Sequence, residues 1–245
     1  MSLLDFLDIR WDMWGVIWNY RELFIRGIGI TVSLTLISYL LGLILGLFVG
    51  MGKLSKKKWL YYPCKYFVDF FRGTPLLVQI LLIHTAMIPG IFGHSLGYFT
   101  SGIIALSLNS AAYNAEIIRA GIQSIEKGQM EAARSLGMTT VIAMKNIILP
   151  QAFRRMVPPL GNELIALLKD SSLLMVIAAN DILFAGKVVA GATLRFWEPY
   201  IMVAILYLCL TFVLSKLISY VEKRFSNSYI PMQRRSLPFF SSRRS

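Results

Sequence analysis

The stretch Glu131-Ala132-Ala133-Arg134-Ser135-Leu136-Gly137, separated by nine residues from Ile147-Ile148-Leu149-Pro150, is the most informative part of the chain. It is polar and lies between long apolar segments. Gly128 and Gly137 bracket about two helical turns, since glycine begins and ends helices at little cost. Glu131 is expected in the first turn, where a carboxylate interacts favourably with the helix dipole. Because Ala132 and Ala133 are small, another protein surface can approach closely. The stretch predicts a short helix, with either a structural role or a protein-docking role.

The composition is that of a membrane protein. Of the 245 residues, 56% are hydrophobic and 16% are charged, and the mean hydropathy is +0.61. Soluble domains carry about 25% charged residues, and spans of about 20 residues each use up most of this length. No room is left for a soluble enzyme domain. The net charge of +12 does not indicate nucleic-acid binding, because the basic residues cluster between the apolar runs. Cys64 and Cys209 are expected to be reduced, structural thiols.

Five apolar runs predict an all-α membrane protein with five transmembrane helices. They cover residues 25–51, 75–91, 99–118, 156–179 and 199–221. Connections rich in Lys and Arg alternate with poor ones, which places the N-terminus outside and the C-terminus in the cytoplasm. The Glu131 stretch is then cytoplasmic.

This topology divides the chain into three parts. They are an extracytoplasmic segment 1–24, a five-span domain 25–221 with its polar loop at about 120–150, and a basic cytoplasmic tail 222–245. Residues 1–22 carry four acids and two bases, so no cleavable signal peptide is predicted.

The fourth run contains four polar residues on one helical face. At about 100° per residue, Asn162, Glu163, Lys169 and Asp170 share a stripe about 120° wide. Each charge in a bilayer core costs about 2.5–3.5 kcal/mol on insertion scales, so the stripe must face protein or water. It either lines a path for a solute or forms an internal ion network that holds helices together.

The third run carries a second polar face. Asn109, Tyr113 and Glu116 follow one another at helical spacing. Glu116 either belongs to this polar face or forms an ion pair with Arg119, which is three residues further on.

Arg72 and Thr74 precede the second run. Thr74 suits an N-cap and Pro75 suits the first helical position, so the helix is expected to begin there. A helix start beside Arg72 suits a substrate carboxylate. Alternatively, Arg72 anchors the chain among the lipid headgroups.

Glycines in the first run predict close helix packing. Gly42, Gly46 and Gly50 recur every four residues, a spacing that lets helix backbones approach each other in lipid.

Several chemistries have no supporting motif. The chain has no phosphate-binding G-x-x-x-x-G-K-[ST] sequence, so ATP hydrolysis by this chain is not expected. No Cys, His and acid cluster has metal-ligand spacing, and no metal site is predicted. An intramembrane protease would need a Ser–His pair, for which His84 with Ser107 or Ser110 is the open combination.

The Glu131 stretch resembles the EAA loop of bacterial ABC-transporter permeases. The pattern E-A-A, three residues, G, nine residues, I-x-L-P is matched at every fixed position. Residues 72–79, 112–121 and 160–173 resemble motifs of the polar amino-acid branch, which includes histidine, glutamine, glutamate, arginine and cystine systems. The resemblance runs from about residue 25 to residue 221.

The resemblance implies a type I ABC importer permease with five spans in the bacterial inner membrane. Its cytoplasmic coupling helix, with Glu131, Ala132, Ala133 and Gly137, would dock onto a separate ATPase subunit. Two permeases, identical or sister chains, would sit on two ATPase subunits that bind ATP and Mg, with no cofactor on this chain. An extracytoplasmic binding protein would deliver the amino acid.

The nine polar residues above are the candidate substrate path: Arg72, Thr74, Asn109, Tyr113, Glu116, Asn162, Glu163, Lys169 and Asp170. In the fourth run two acids accompany one lysine, which favours a cationic or neutral substrate. Other classes stay open. One alternative is a permease of the same superfamily for another small solute. A lipid- or peptide-handling permease would keep the loop but lack the motifs at residues 72–79 and 162–172. An ion channel would explain the polar stripe and not the loop, and a secondary transporter would typically show an internal repeat.

Overall fold

The computed structural model describes residues 14–226, and within this range the regular structure is entirely helical. The α-helices are α1 (Trp14–Asn19), α2 (Arg21–Lys53), α3 (Lys58–Gly73), α4 (Leu76–Leu82), α5 (Ile88–Phe92), α6 (Gly97–Gln123), α7 (Lys127–Ser135), α8 (Thr140–Ala143), α9 (Leu149–Asp170), α10 (Ile182–Thr193) and α11 (Trp197–Ser226). A 3₁₀ segment, Ser171–Ile177, continues α9. Most of the predicted segment 1–24 and tail 222–245 lies outside the described residues, and the first helix of the predicted domain begins at Arg21 instead of residue 25.

Two described helices, α2 and α11, are long and apolar enough to cross a membrane. Two bent pairs raise the number to four if each pair is one span: α3 with the run Leu76–Phe92, bent by 109°, and Thr140–Ile177 with α10, bent by 48°. Helix α6 covers the predicted third span and is long enough, but its serines, asparagines and Glu116 lower its hydropathy. By length and composition, the predicted count of five is therefore not reached.

The predicted glycine contact is confirmed between α2 and α6. A Cβ atom on Gly42 would lie 2.9 Å from the Cβ of Ser110, and one on Gly46 would lie 2.7 Å from the Cβ of Asn114. At Gly50 it would lie 2.9 Å from the carbonyl oxygen of Ala115. Only glycine allows the two backbones to come this close, so α2 and α6 form the centre of the fold.

Two prolines account for two irregular turns. π-helical turns at Ile83–Met87 and Met144–Ile148 each end shortly before a proline, Pro89 and Pro150 respectively. A proline ring clashes with the carbonyl four residues earlier and supplies no N–H group. The wider turn relieves this clash, so the chain remains helical through both segments.

The largest buried cluster joins α2, α4, α6 and the residues after α9. Leu34, Ile80, Leu106, Leu167 and Leu174 are all fully buried in it. This contact fixes α4 against α6, and it thereby positions the polar residues described next.

Candidate functional site

Helix α7 ends in a hydrogen-bonded turn that requires glycine. Gly137 has φ 82°, a left-handed conformation that other residues adopt at a cost. Its N–H donates to the Arg134 carbonyl at 3.0 Å, and the Met138 N–H donates to the Ala133 carbonyl at 3.1 Å. This pair of bonds is the Schellman motif, so the predicted helix stop at Gly137 is confirmed.

The start of α7 differs from the sequence prediction. The helix begins at Lys127, with Glu126 as its N-cap residue, so Gly128 lies inside the helix. Glu131 is consequently in the second turn, and the prediction that it lies in the first turn was wrong. The acidic residue nearest the start of the helix is Glu126, at the N-cap position, and not Glu131.

The outward face of the loop includes apolar residues that sequence reasoning missed. Glu131 and Ala132 are exposed, whereas Ala133 is buried against the rest of the chain. Leu136 and Val141 are 83% and 76% exposed. Sequence reasoning could have found them, because large aliphatic side chains are unusual in a polar loop. Exposed apolar side chains of this kind are typical of protein-contact sites.

Glu116 lies at the centre of a cluster of basic side chains. Its carboxylate accepts hydrogen bonds from Arg119, with Nη2 at 2.7 Å from Oε2, and from the Lys53 ammonium. Arg72 Nη1 lies 3.7 Å from the same Oε2 atom. The pairing of Glu116 with Arg119, one of two roles left open by the sequence, is thus present. Lys53 was missed, although its place at the end of the first apolar run was visible.

Arg72 also stacks on Tyr113. The guanidinium carbon lies 5.5 Å from the ring centroid of Tyr113, a cation–π contact. With Glu116 on the same helix as Tyr113, Arg72 is held by two contacts to α6. These contacts hold the guanidinium against α6 near the end of α3, while the Arg72 side chain stays 44% exposed.

Gln79 closes the break between α3 and α4. The side chain is 2% exposed. Its Nε2 donates to the Phe71 carbonyl at 2.8 Å and to the Thr74 hydroxyl at 2.8 Å, and its Oε1 accepts from Asn109 at 2.9 Å. The break is bent by 109°, so Gln79 satisfies carbonyls that the end of α3 leaves free.

Thr74 does not cap α4, contrary to the sequence prediction. The helix begins at Leu76 with Pro75 in the N-cap position, and no side chain caps it. The Thr74 hydroxyl donates instead to the Phe70 carbonyl at 2.8 Å. The preceding helix competes successfully for the hydroxyl because its last carbonyls have no other helical partner.

The stripe on α9 differs from the α6 cluster. Asn162, Lys169 and Asp170 are exposed, and Glu163 is partly buried. Within residues 14–226, none of these four side chains has a hydrogen bond or an ion pair. The internal ion network considered from the sequence is therefore absent from this part of the chain.

Five of the nine candidate path residues are brought together in the structure, namely Arg72, Thr74, Asn109, Tyr113 and Glu116. The α9 stripe makes no hydrogen bond or ion pair to them among the described residues. The candidate Ser–His pair also changes: His84 Nδ1 lies 2.9 Å from Ser101 Oγ, and not beside Ser107 or Ser110.

A family model described as binding-protein-dependent transport system inner membrane component matches residues 42–227. This match covers most of the chain. The chain belongs to this family. An inner membrane component of this kind is a transport subunit and not an enzyme.

This inner membrane component matches its relatives over nearly their whole length. The arginine transport system permease protein ArtQ of Bacillus subtilis (strain 168) is 36% identical over 204 residues, 83% of this chain and 93% of that protein. The probable glutamine ABC transporter permease protein GlnM of the same organism is 39% identical over 215 residues, 88% and 99% of the two chains.

Solved structures share the fold. One, titled as the crystal structure of an amino acid ABC transporter with histidines, has a TM-score of 0.82 and 42% identity, and covers 88% of this chain and 100% of that chain. An inward-facing MetNI methionine ABC transporter has a TM-score of 0.72 at 22% identity, with 84% and 97% covered. The second likeness concerns the fold alone.

Proposed function

We propose that this chain is the membrane-spanning permease subunit of an ATP-driven importer for a polar amino acid. The observation that carries the proposal is the exposed helix α7, stopped by Gly137, in a chain of the transport family. The names of the relatives support an amino acid as the substrate, since they refer to arginine and glutamine.

Helix α7 is the coupling helix in this proposal. Ala132 provides a small contact point, and Leu136 and Val141 provide exposed apolar area on the same loop. An ATPase subunit with a complementary groove would bury this area and turn ATP hydrolysis, with ATP and Mg on the ATPase, into movement of the spans.

The α9 stripe is the proposed substrate path. An amino acid carries an ammonium and a carboxylate, so its path needs groups of both signs. Glu163 and Asp170 suit the ammonium or a cationic side chain, and Lys169 suits the carboxylate. Because Arg72 is engaged by Glu116 and Tyr113, Lys169 is the better candidate for the carboxylate.

The assembly follows from the same proposal. Five spans, with α6 as the third, place the N-terminus outside the inner membrane and the C-terminus in the cytoplasm. A second permease, identical or a sister chain, faces the α9 stripe across the path. Two ATPase subunits bind from the cytoplasm, and an extracytoplasmic binding protein delivers the substrate.

Coupling is tested by the same substitution at two glycines of the loop. Neither Gly128 nor Gly137 has an atom within 4 Å of an added Cβ, but only Gly137 has a positive φ. Gly137→Val should disrupt the helix end and lower both uptake and binding-protein-stimulated ATPase activity roughly tenfold, since a strain of about 1.4 kcal/mol corresponds to a factor of ten. Gly128→Val should leave both near normal. Equal activities in the two variants, at equal yield, would remove α7 from the coupling role.

Orientation is tested by cysteine labelling. Single cysteines at Ser95 and Lys57, both exposed, are placed in a chain lacking Cys64 and Cys209. An impermeant thiol reagent added to intact cells should label position 95 and spare position 57. The reverse pattern would put α7 on the outside, where no cytoplasmic ATPase can reach it.

A further inference from the structure

Helix α3 exposes a row of aromatic side chains. Trp59, Tyr62, Tyr66 and Phe70 recur at helical spacing and are all exposed, with Trp59 at 71% and Tyr66 at 64%. Val68, on the opposite face, is buried against the bundle. The rings of Tyr62 and Tyr66 stack with centroids 6.2 Å apart. The four exposed side chains are here called the aromatic row.

Basic residues accompany the aromatic row. Residues 53–72 contain six bases and one acid, Asp69. Lys56, Lys57 and Lys58 are exposed at the start of α3. Lys53 differs from them because it is paired with Glu116. The three exposed lysines have no ion pair within residues 14–226, so this end of α3 carries uncompensated positive charge.

The outer face of α2 provides a contrast. Leu36, Leu40, Ile44 and Phe48 are exposed there at helical spacing, and the face contains no charge. Such a face matches the hydrocarbon interior of a bilayer. Tyrosine and tryptophan with adjacent lysines match the level of the headgroups instead.

The direction of α3 agrees with this placement. Its last turn lies beside Asn109, near the middle of α6, because the Phe71 carbonyl lies 3.5 Å from Asn109 Nδ2. Its first residues follow directly on the end of α2, where the membrane boundary is expected. Lys53, just before α3, and Arg72, in its last turn, both reach Glu116 on α6. Helix α3 therefore stays near the level at which α2 ends, and Lys56, Lys57 and Lys58 lie exposed at its start.

We propose that the start of α3 is a binding surface for anionic lipid. Lys56, Lys57 and Lys58 bind headgroup phosphates, while Trp59 and Tyr62 lie at the boundary between headgroups and acyl chains. Assigning the surface to the cytoplasmic leaflet rests on the orientation in the proposed function. Charge complementarity favours lipid over a second protein, since each lysine close to an anionic surface strengthens binding roughly fivefold.

The test uses the full-length chain with Trp59 as its only tryptophan, the other four being phenylalanine. The chain is reconstituted in bilayers of phosphatidylcholine with increasing phosphatidylglycerol, and one of the two lipids carries bromine, which quenches tryptophan fluorescence. Quenching at Trp59 should show at least a roughly fivefold preference for phosphatidylglycerol, which is the effect of a single lysine. The triple variant Lys56→Gln, Lys57→Gln, Lys58→Gln should abolish the preference, so that both lipids quench Trp59 about equally.

Two controls locate the effect. A chain with Trp197 as its only tryptophan, exposed at the start of α11, should show no preference. Lys223→Gln with Arg224→Gln, at the other end of α11, should leave the preference at Trp59 unchanged.

Equal quenching by both lipids at Trp59, or a preference that survives the triple substitution, would overturn the proposal. Quenching by neither lipid, with normal quenching at Trp197, would also overturn it, because protein would then cover the aromatic row. A reversed orientation is detected by the cysteine labelling and changes only the leaflet, so the two proposals fail separately.

Discussion

The polar residues of α6 and those of α9 lie in two apolar runs of the same chain, yet their surroundings differ. Asn109 and Glu116 on α6 are bonded to Gln79, Lys53 and Arg119. The four side chains of the α9 stripe, Asn162, Glu163, Lys169 and Asp170, have no hydrogen bond or ion pair within residues 14–226.

This difference separates two physical roles. A polar group removed from water is stable when it has a partner, so the α6 residues contribute to holding α2, α3, α4 and α6 together. In the α9 stripe, Asn162, Lys169 and Asp170 are exposed and Glu163 is partly buried, so a second subunit, water or a solute can supply the missing contacts. We therefore expect substitutions on α6 to lower stability and substitutions on α9 to lower transport.

The largest loss of stability is expected for Glu116→Gln. The change leaves the Lys53 ammonium, whose side chain is 9% exposed, without its carboxylate. Removal of one partner of a buried ion pair costs about 3 kcal/mol. Thermal unfolding of the purified chain in detergent measures the effect.

A second substitution checks the cause of that loss. Adding Lys53→Met to Glu116→Gln removes the stranded charge and should recover part of the lost stability. No recovery would mean that the cluster around Glu116 is not what holds α2 against α6.

A smaller loss is expected for Gln79→Met. The variant keeps the size of the side chain and removes its hydrogen bonds to Phe71, Thr74 and Asn109, which leaves buried polar groups unsatisfied at a cost of about 1–3 kcal/mol. The unfolding temperature should fall. Adding Asn109→Leu should then lower it by less than Asn109→Leu lowers it in the otherwise unchanged chain. Strictly additive losses would contradict a direct Gln79–Asn109 bond.

The smallest effect on stability is expected for Asp170→Asn. The side chain is exposed and has no ion pair within the described residues, so the free energy of unfolding should change by less than about 0.5 kcal/mol. Uptake should nevertheless fall, since the path loses one of its two acidic groups. A marked drop in the unfolding temperature would instead assign Asp170 to a structural contact.

Local rules predicted much of this molecule. The helical class, the stop at Gly137 and the contact of Gly42, Gly46 and Gly50 follow from composition, turn chemistry and spacing, which depend on neighbouring residues alone. The pairing of Glu116 with Arg119 is local as well, since the two are three residues apart.

Contacts between distant segments were not predictable in the same way. Gln79 and Asn109 are 30 residues apart, and Lys53 and Glu116 are 63 residues apart, so their pairing depends on how α2, α3 and α4 pack on α6. The wrong assignment of Thr74 has a related cause. Its hydroxyl lies between two helices and can either cap the start of α4 or bond a carbonyl at the end of α3. The bend of 109° between α3 and α4 follows from the same packing.

The most direct test compares Glu163→Gln with Glu116→Gln in the complete transporter, measuring the yield of assembled complex and amino-acid uptake in proteoliposomes side by side. We predict that Glu163→Gln assembles at normal yield and loses most of its uptake, whereas Glu116→Gln loses yield, and that the complex which does assemble transports in proportion to its amount. Normal uptake by Glu163→Gln, or loss of its assembled complex, would contradict the assignment of the α9 stripe to the substrate path.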